Sequence, residues 1–196
     1  MEVYRFGVKF FAADPVSIPL PDFIPVFHTW VQKQIIENHL LIDIHNYSHI
    51  QRGPGILLVA HEGNFSTDMA ENRLGLLYYR KHPTTGTTEE SLMSILKPAL
   101  QACILLENEP SLSGRLHFRT DGFQIVANDR LNAPNDEKTF AELQPLVSSA
   151  LQRLYEGAPF VLARTSTNPK ERFGIIVQGD QSAGVNVLLS RCRGGL

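Results

Sequence analysis

Gly55-Ile56-Leu57-Leu58 returns 119 residues later as Gly174-Ile175-Ile176-Val177. Each copy is a glycine followed by an apolar run, the composition of a strand buried on both faces. The residues upstream repeat as well. At an offset of 115, Gly7 falls on Gly122, Phe10 on Ile125, Ala12 on Ala127, Asp14 on Asp129 and Pro19 on Pro134. At 120, Pro25 falls on Pro145, Phe27 on Val147 and Val31 on Leu151; at 119, Asn38 falls on Gly157. Five residues inserted before the second helix, within the polar stretch 135–139, account for the drift. Asn38 and Gly157 both tolerate the left-handed backbone that ends a helix. The pattern reads as an internal duplication; the plainer alternative is that two amphipathic α/β segments share a composition.

Working outward, residues 3–13 are rich in β-branched and aromatic types and read as a strand, ended by Asp14-Pro15. Asp22 is the expected N-cap of a helix whose Phe23, Phe27, Trp30, Val31 and Ile35 share a face. Residues 40–45 alternate as a strand, turn at Arg52-Gly53-Pro54-Gly55 and return at 56–61. A polar loop and another strand at 74–79 complete the unit. Residues 89–106 read as a helix that Pro98 kinks or breaks. It is apolar around nearly its whole circumference, so it must be buried between the halves or at a subunit interface.

The second unit is expected to open with a hairpin, 116–119 and 123–128, around Asp121-Gly122. A capping box at Thr139-x-x-Glu142 then starts a helix. Strands at 160–163, 173–178 and 185–192 follow. The predicted fold class is therefore α+β: two repeated β-α-β-β-β units, 1–86 and 110–196, joined by a linker helix at 87–109 within one compact domain. Their sheets would be mainly antiparallel, each covered by one helix. This order of elements is similar in topology to the paired strand-helix-strand-strand modules of the gyrase-inhibitor-like ligand-binding family. The hot-dog fold also begins β-α-β, but there the sheet wraps the helix, whereas both helices here carry a polar face.

The 196 residues are 43% hydrophobic, enough for a sizeable core, and the net charge is -2 with a pI near 6.4. That balance offers no field to gather nucleic acid. Cys103 and Cys192 form no metal-spaced pair and no disulfide framework. With no leader-like start and no long apolar run, the expectation is a soluble, cytoplasmic protein without membrane contact.

The densest chemistry is His61-Glu62-Gly63-Asn64-Phe65-Ser66-Thr67-Asp68, placed directly after an apolar strand. If the preceding hairpin centres on Arg52-Gly53, facing residue numbers sum to 104–105. Asp43 then lies beside His61, a carboxylate–imidazole pair suited to acid/base work. His61, Asp43, Glu62 and Asp68 are the catalytic candidates of a hydrolase reading. His45, His61 and Asp43 are weak metal-ligand candidates, with hydrogen-bonded surface groups the plainer alternative. Ser66 lacks a surrounding Gly-x-Ser-x-Gly. Arg119, Arg164 and Arg172 would meet an anion only if they converge; His45 and Arg164 are the ligand-binding candidates. The leading expectation is a non-enzymatic protein without a cofactor. It would bind a small molecule between its two units, associate with a second copy through 89–106, or both. The alternative is a hydrolase, metal-assisted or not, at the 40–61 hairpin.

Overall fold

In the computed structural model, residues 5–13, 18–83, 86–112, 114–180 and 183–193 are described. The expected turn at Asp14-Pro15 lies outside them. The strands are β1 (Phe6–Ala12), β2 (Leu41–Tyr47), β3 (Gly55–Ala60), β4 (Gly63–Asp68), β5 (Gly75–Arg80), β6 (Phe118–Ala127), β7 (Phe160–Arg164) and β8 (Gly174–Gly179). The helices are α1 (Phe23–Lys33), α2 (Thr88–Glu107), α3 (Glu137–Leu154) and α4 (Val185–Arg193).

Alternation along β1 sorts the two faces of the molecule. Phe6, Val8, Phe10 and Ala12 enter the main hydrophobic core, while Gly7, Lys9 and Phe11 stand on the opposite face. All the strands lie in one antiparallel sheet in the order β2-β3-β4-β5-β1-β6-β8-β7. Apolar residues from α1, α2, α3 and α4 join the same core as Phe6, Val8 and Phe10, so the helices form a single layer against one face of the sheet. Among the described residues the other face carries no helix, and the site lies there.

The α+β class and the antiparallel pairing hold. The expected division into two sheets, each under its own helix, does not, and the duplicated units are not confirmed. β8 pairs directly with β6, whereas β3, its sequence match, is separated from β1 by β4 and β5. The first half adds four strands after α1. The second adds only β7 and β8, then α4.

Three local expectations are corrected. Residues of the expected polar loop form β4, whose Phe65 faces the core while Asn64, Ser66 and Asp68 share the open face with Leu57 and Leu77. Asp121-Gly122 makes no hairpin turn: it lies within β6, where the register with β1 shifts between Phe123 and Phe118 while Gly122 pairs with Gln178 of β8, so the local turn preference is absorbed as an irregularity in the strand. The expected strand at 185–192 is α4, because Val185, Leu188, Leu189 and Cys192 recur at helical spacing and are all buried.

Helix boundaries shift for identifiable reasons. α3 is capped by Asp136, whose carboxylate accepts from the Thr139 N–H at 2.8 Å, so Thr139 lies inside the helix instead of capping it. Asp22 precedes α1 without a side-chain capping bond. α2 continues unbroken through Pro98. Its sides are covered within the chain by β1, β5, α3 and α4. That burial removes the reason to expect a homodimer through 89–106. No helix among the described residues is long and apolar enough to cross a membrane.

Candidate functional site

Lys9 is the one charged residue of the central strand β1, and it is only 2% exposed. Its Nζ donates to Asp68 Oδ1 at 2.5 Å and to the Ala70 carbonyl at 3.1 Å. Asp68 ends β4, two strands away, and its Oδ1 also accepts from the Ala70 N–H at 3.0 Å. The lysine stem reaches across β5 because Gly75 stands opposite Asp68. A Cβ at Gly75 would lie 2.7 Å from Lys9 Cε and 2.7 Å from the Phe10 carbonyl oxygen, so a side chain there would block the bridge.

Sheet register sets two rungs on this open face. One is Leu77–Lys9–Gln124, across β5, β1 and β6. The next is Tyr79–Gly7–Val126. A Cβ at Gly7 would fall 2.4 Å from Tyr79 Cδ1, so the Tyr79 ring lies across the glycine and forms, with Val126, a flat apolar patch. Arg172 Nη1 donates to the Tyr79 hydroxyl at 2.6 Å. Burial pushes the Tyr79 phenol up to about 12, with the nearby Arg172 charge opposing the shift.

These rungs floor a cleft of about 370 Å³. Its rim comes from connecting segments: Arg52 before β3, Arg130 after β6, and Lys170, Glu171 and Arg172 between β7 and β8. The last segment is tied down by Asn135, whose Nδ2 donates to the carbonyls of Ser166 at 3.1 Å and Asn168 at 2.8 Å. The lining holds five cationic residues, Lys9, Arg52, Arg130, Lys170 and Arg172, against the acids Asp68 and Glu171. Lys9 and Asp68 neutralise each other. Among the described residues, no carboxylate forms an ion pair with the four remaining cations. The cleft is thus positive in a chain whose net charge is -2.

Of the residues singled out from the sequence, Asp68 and Arg172 line this cleft. Asp43 and His45 sit on the outer strand β2, 3.6 Å apart and largely exposed. An irregularity between Leu41 and Asp43 sets Asp43 opposite Val59 and His45 opposite Leu57, so facing numbers there sum to 102 instead of 104–105. His61 donates its backbone N–H to the Leu40 carbonyl at 2.9 Å, and its ring packs on His82 at 5.1 Å. It therefore lies two residues, about 7 Å, along the chain from Val59, the partner of Asp43, and the expected carboxylate–imidazole pair does not form. Glu62 accepts from the Leu40 N–H at 2.8 Å. Burial pushes its carboxyl up, but that bond and others outweigh burial and hold it below the usual range. Arg164 pairs with Glu137 at 3.3 Å, and Arg119 pairs with Asp121 at 2.8 Å, so the three expected arginines do not converge. Among the described residues no group of three or more His, Cys, Asp or Glu side chains is arranged to hold a metal ion.

Lys9, Gln124 and Tyr79 were missed. For Lys9 the signal was present: a lysine set among Phe6, Val8, Phe10 and Phe11 in an otherwise apolar strand. A further polar group lies toward the end of the sheet, where His39 Nε2 meets the Tyr78 hydroxyl at 2.8 Å and Nδ1 meets the Glu37 carbonyl at 2.9 Å. Since Nδ1 faces a carbonyl it carries the proton, and Nε2 accepts from the tyrosine. No family model matches the chain, no curated protein matches it in sequence, and no solved structure matches its fold.

Proposed function

We propose that this protein binds a small anionic molecule in the cleft on the open face of its sheet, as a non-enzymatic ligand-binding protein. The observation that carries the reading is the Lys9–Asp68 pair, buried at the floor of a cleft whose four remaining cations outnumber its one other acid, Glu171. Desolvating two charges costs several kcal/mol per ion, and a buried pair seldom stabilises a fold as well as apolar packing would. Apolar side chains are the cheaper floor, so an ion pair there fits a role in recognition. The volume suits a small molecule, and a mostly charged lining over the apolar Leu77, Tyr79 and Val126 suits one that is anionic. Two buried thiols, Cys103 and Cys192, fit a reducing, cytoplasmic setting. The duplicated origin of the scaffold rests on the sequence echo and on β1 and β6, each leading to a helix and lying side by side.

Thermal unfolding in the presence of inorganic pyrophosphate, citrate or spermidine tests this. The anions are expected to raise the melting temperature and spermidine to leave it unchanged, with stabilisation growing as RT ln(1 + [L]/Kd). The Arg130→Ser/Arg172→Ser variant is expected to lose most of the shift. An equal response in this variant, or none to any anion at millimolar concentration, would overturn the proposal.

A further inference from the structure

Gln124 is 8% exposed, lines the cleft, and makes no side-chain hydrogen bond among the described residues. Its carboxamide is therefore open to the cleft, where a ligand or water can complete it. Beside it, Lys9 uses two of its three N–H donors, on Asp68 and Ala70, while Asp68 Oδ2 accepts nothing from the described residues. The rung Leu77–Lys9–Gln124 therefore presents free donors and acceptors together. The adjacent rung, Tyr79–Gly7–Val126, presents a flat apolar patch, and the remaining cations lie at the rim.

Resting on the anion-binding reading above, we infer that the ligand is a phosphate ester carrying a planar, hydrogen-bonding ring, of the size of a nucleoside monophosphate. An amide side chain offers an acceptor and a donor in one plane, which complements a ring edge bearing both, as a nucleobase does. The ring lies over Tyr79 and Gly7 with its edge toward Gln124 and the unused groups of Lys9 and Asp68. The phosphate is held at the rim by Arg130, Lys170 and Arg172, for which guanidinium forks are well suited. A sugar phosphate would meet the rim as well but would leave the flat patch uncovered and Gln124 without an in-plane partner.

Titration calorimetry of the full chain with AMP, GMP, CMP, UMP, ribose 5-phosphate and inorganic pyrophosphate decides the matter. At least one nucleotide is expected to bind about tenfold or more tightly than ribose 5-phosphate. That preference should vanish in Gln124→Met. An independent readout needs no variant: the Gln124 side-chain amide resonance should shift with the preferred nucleotide and stay put with pyrophosphate. Ribose 5-phosphate binding as tightly as every nucleotide, or a Gln124 resonance indifferent to nucleotide, overturns this inference and leaves the anion-binding reading standing. Failure of both pyrophosphate and all nucleotides to bind removes both.

Discussion

Lys9 shows how one residue shapes the open face. It stands on the face opposite the core, where alternation admits a polar side chain, yet it is almost wholly buried, and its charge is tolerated because Asp68 and the Ala70 carbonyl meet it. The energetic consequence is asymmetric. Removing one partner strands a buried charge, whereas removing both leaves a surface that can pack. Lys9→Met is therefore expected to lower unfolding free energy by about 3–5 kcal/mol. Lys9→Met/Asp68→Leu should recover at least half of that loss, measured by urea unfolding. A double variant no better than the single would show that the lysine stabilises through its stem and not through its charge.

At the scale of elements, α2 is the helix that binds sheet and helical layer together. Its start is specified locally by a reciprocal capping box. The Thr87 hydroxyl accepts from the Glu90 N–H at 3.2 Å, and the Thr87 N–H donates to Glu90 Oε2 at 2.7 Å. Thr87→Ala is expected to cost about 1 kcal/mol in chemical denaturation, with native circular dichroism retained. A neutral outcome would mean that packing of Leu92, Ile95 and Leu96 alone sets the helix start. The outermost strand β2 shows a different local device. Its irregularity between Leu41 and Asp43 and its exposed Asp43 and His45 make the unpaired edge a poor template for another chain. Residues that attracted a catalytic reading thus occupy an edge where polarity has a structural use.

For the whole molecule, pH response follows from His39, the ring clamped between the Tyr78 hydroxyl and the Glu37 carbonyl. Burial lowers its pKa from 6.5, and the opposing pull of the Glu37 carbonyl and of Glu62 does not restore it. As pH falls through the unfolded value, the denatured chain takes up a proton that the native ring refuses. The native state binds fewer protons, so stability is complete above 6.5 and declines below it. The decline should be visible as pH falls below about 6.5, before carboxylates titrate, and His39→Asn should flatten it. Unfolding free energies at these pH values check the point; an unchanged slope in the variant would assign it to other groups.

Element type was legible wherever local pattern and tertiary need agreed. The apolar strands, the one-sided helices α1 and α3 and the fully apolar α2 were all read from periodicity. Where several patterns fitted, the sequence left a choice: 185–192 satisfies both strand and helix content, and its helical spacing wins only once the core exists to receive one face. Asp121-Gly122 is a turn in isolation and an irregularity inside β6 in the fold, because the ladders on either side of it in sequence hold the strand together across the local preference. The site was the least legible part. Lys9, Asp68, Gln124 and Tyr79 lie far apart in sequence and become neighbours only through strand order and register. By itself the sequence determined which segments must hide from water; tertiary structure alone decided which polar groups would be hidden with them, since register is a property of paired strands and not of any one of them.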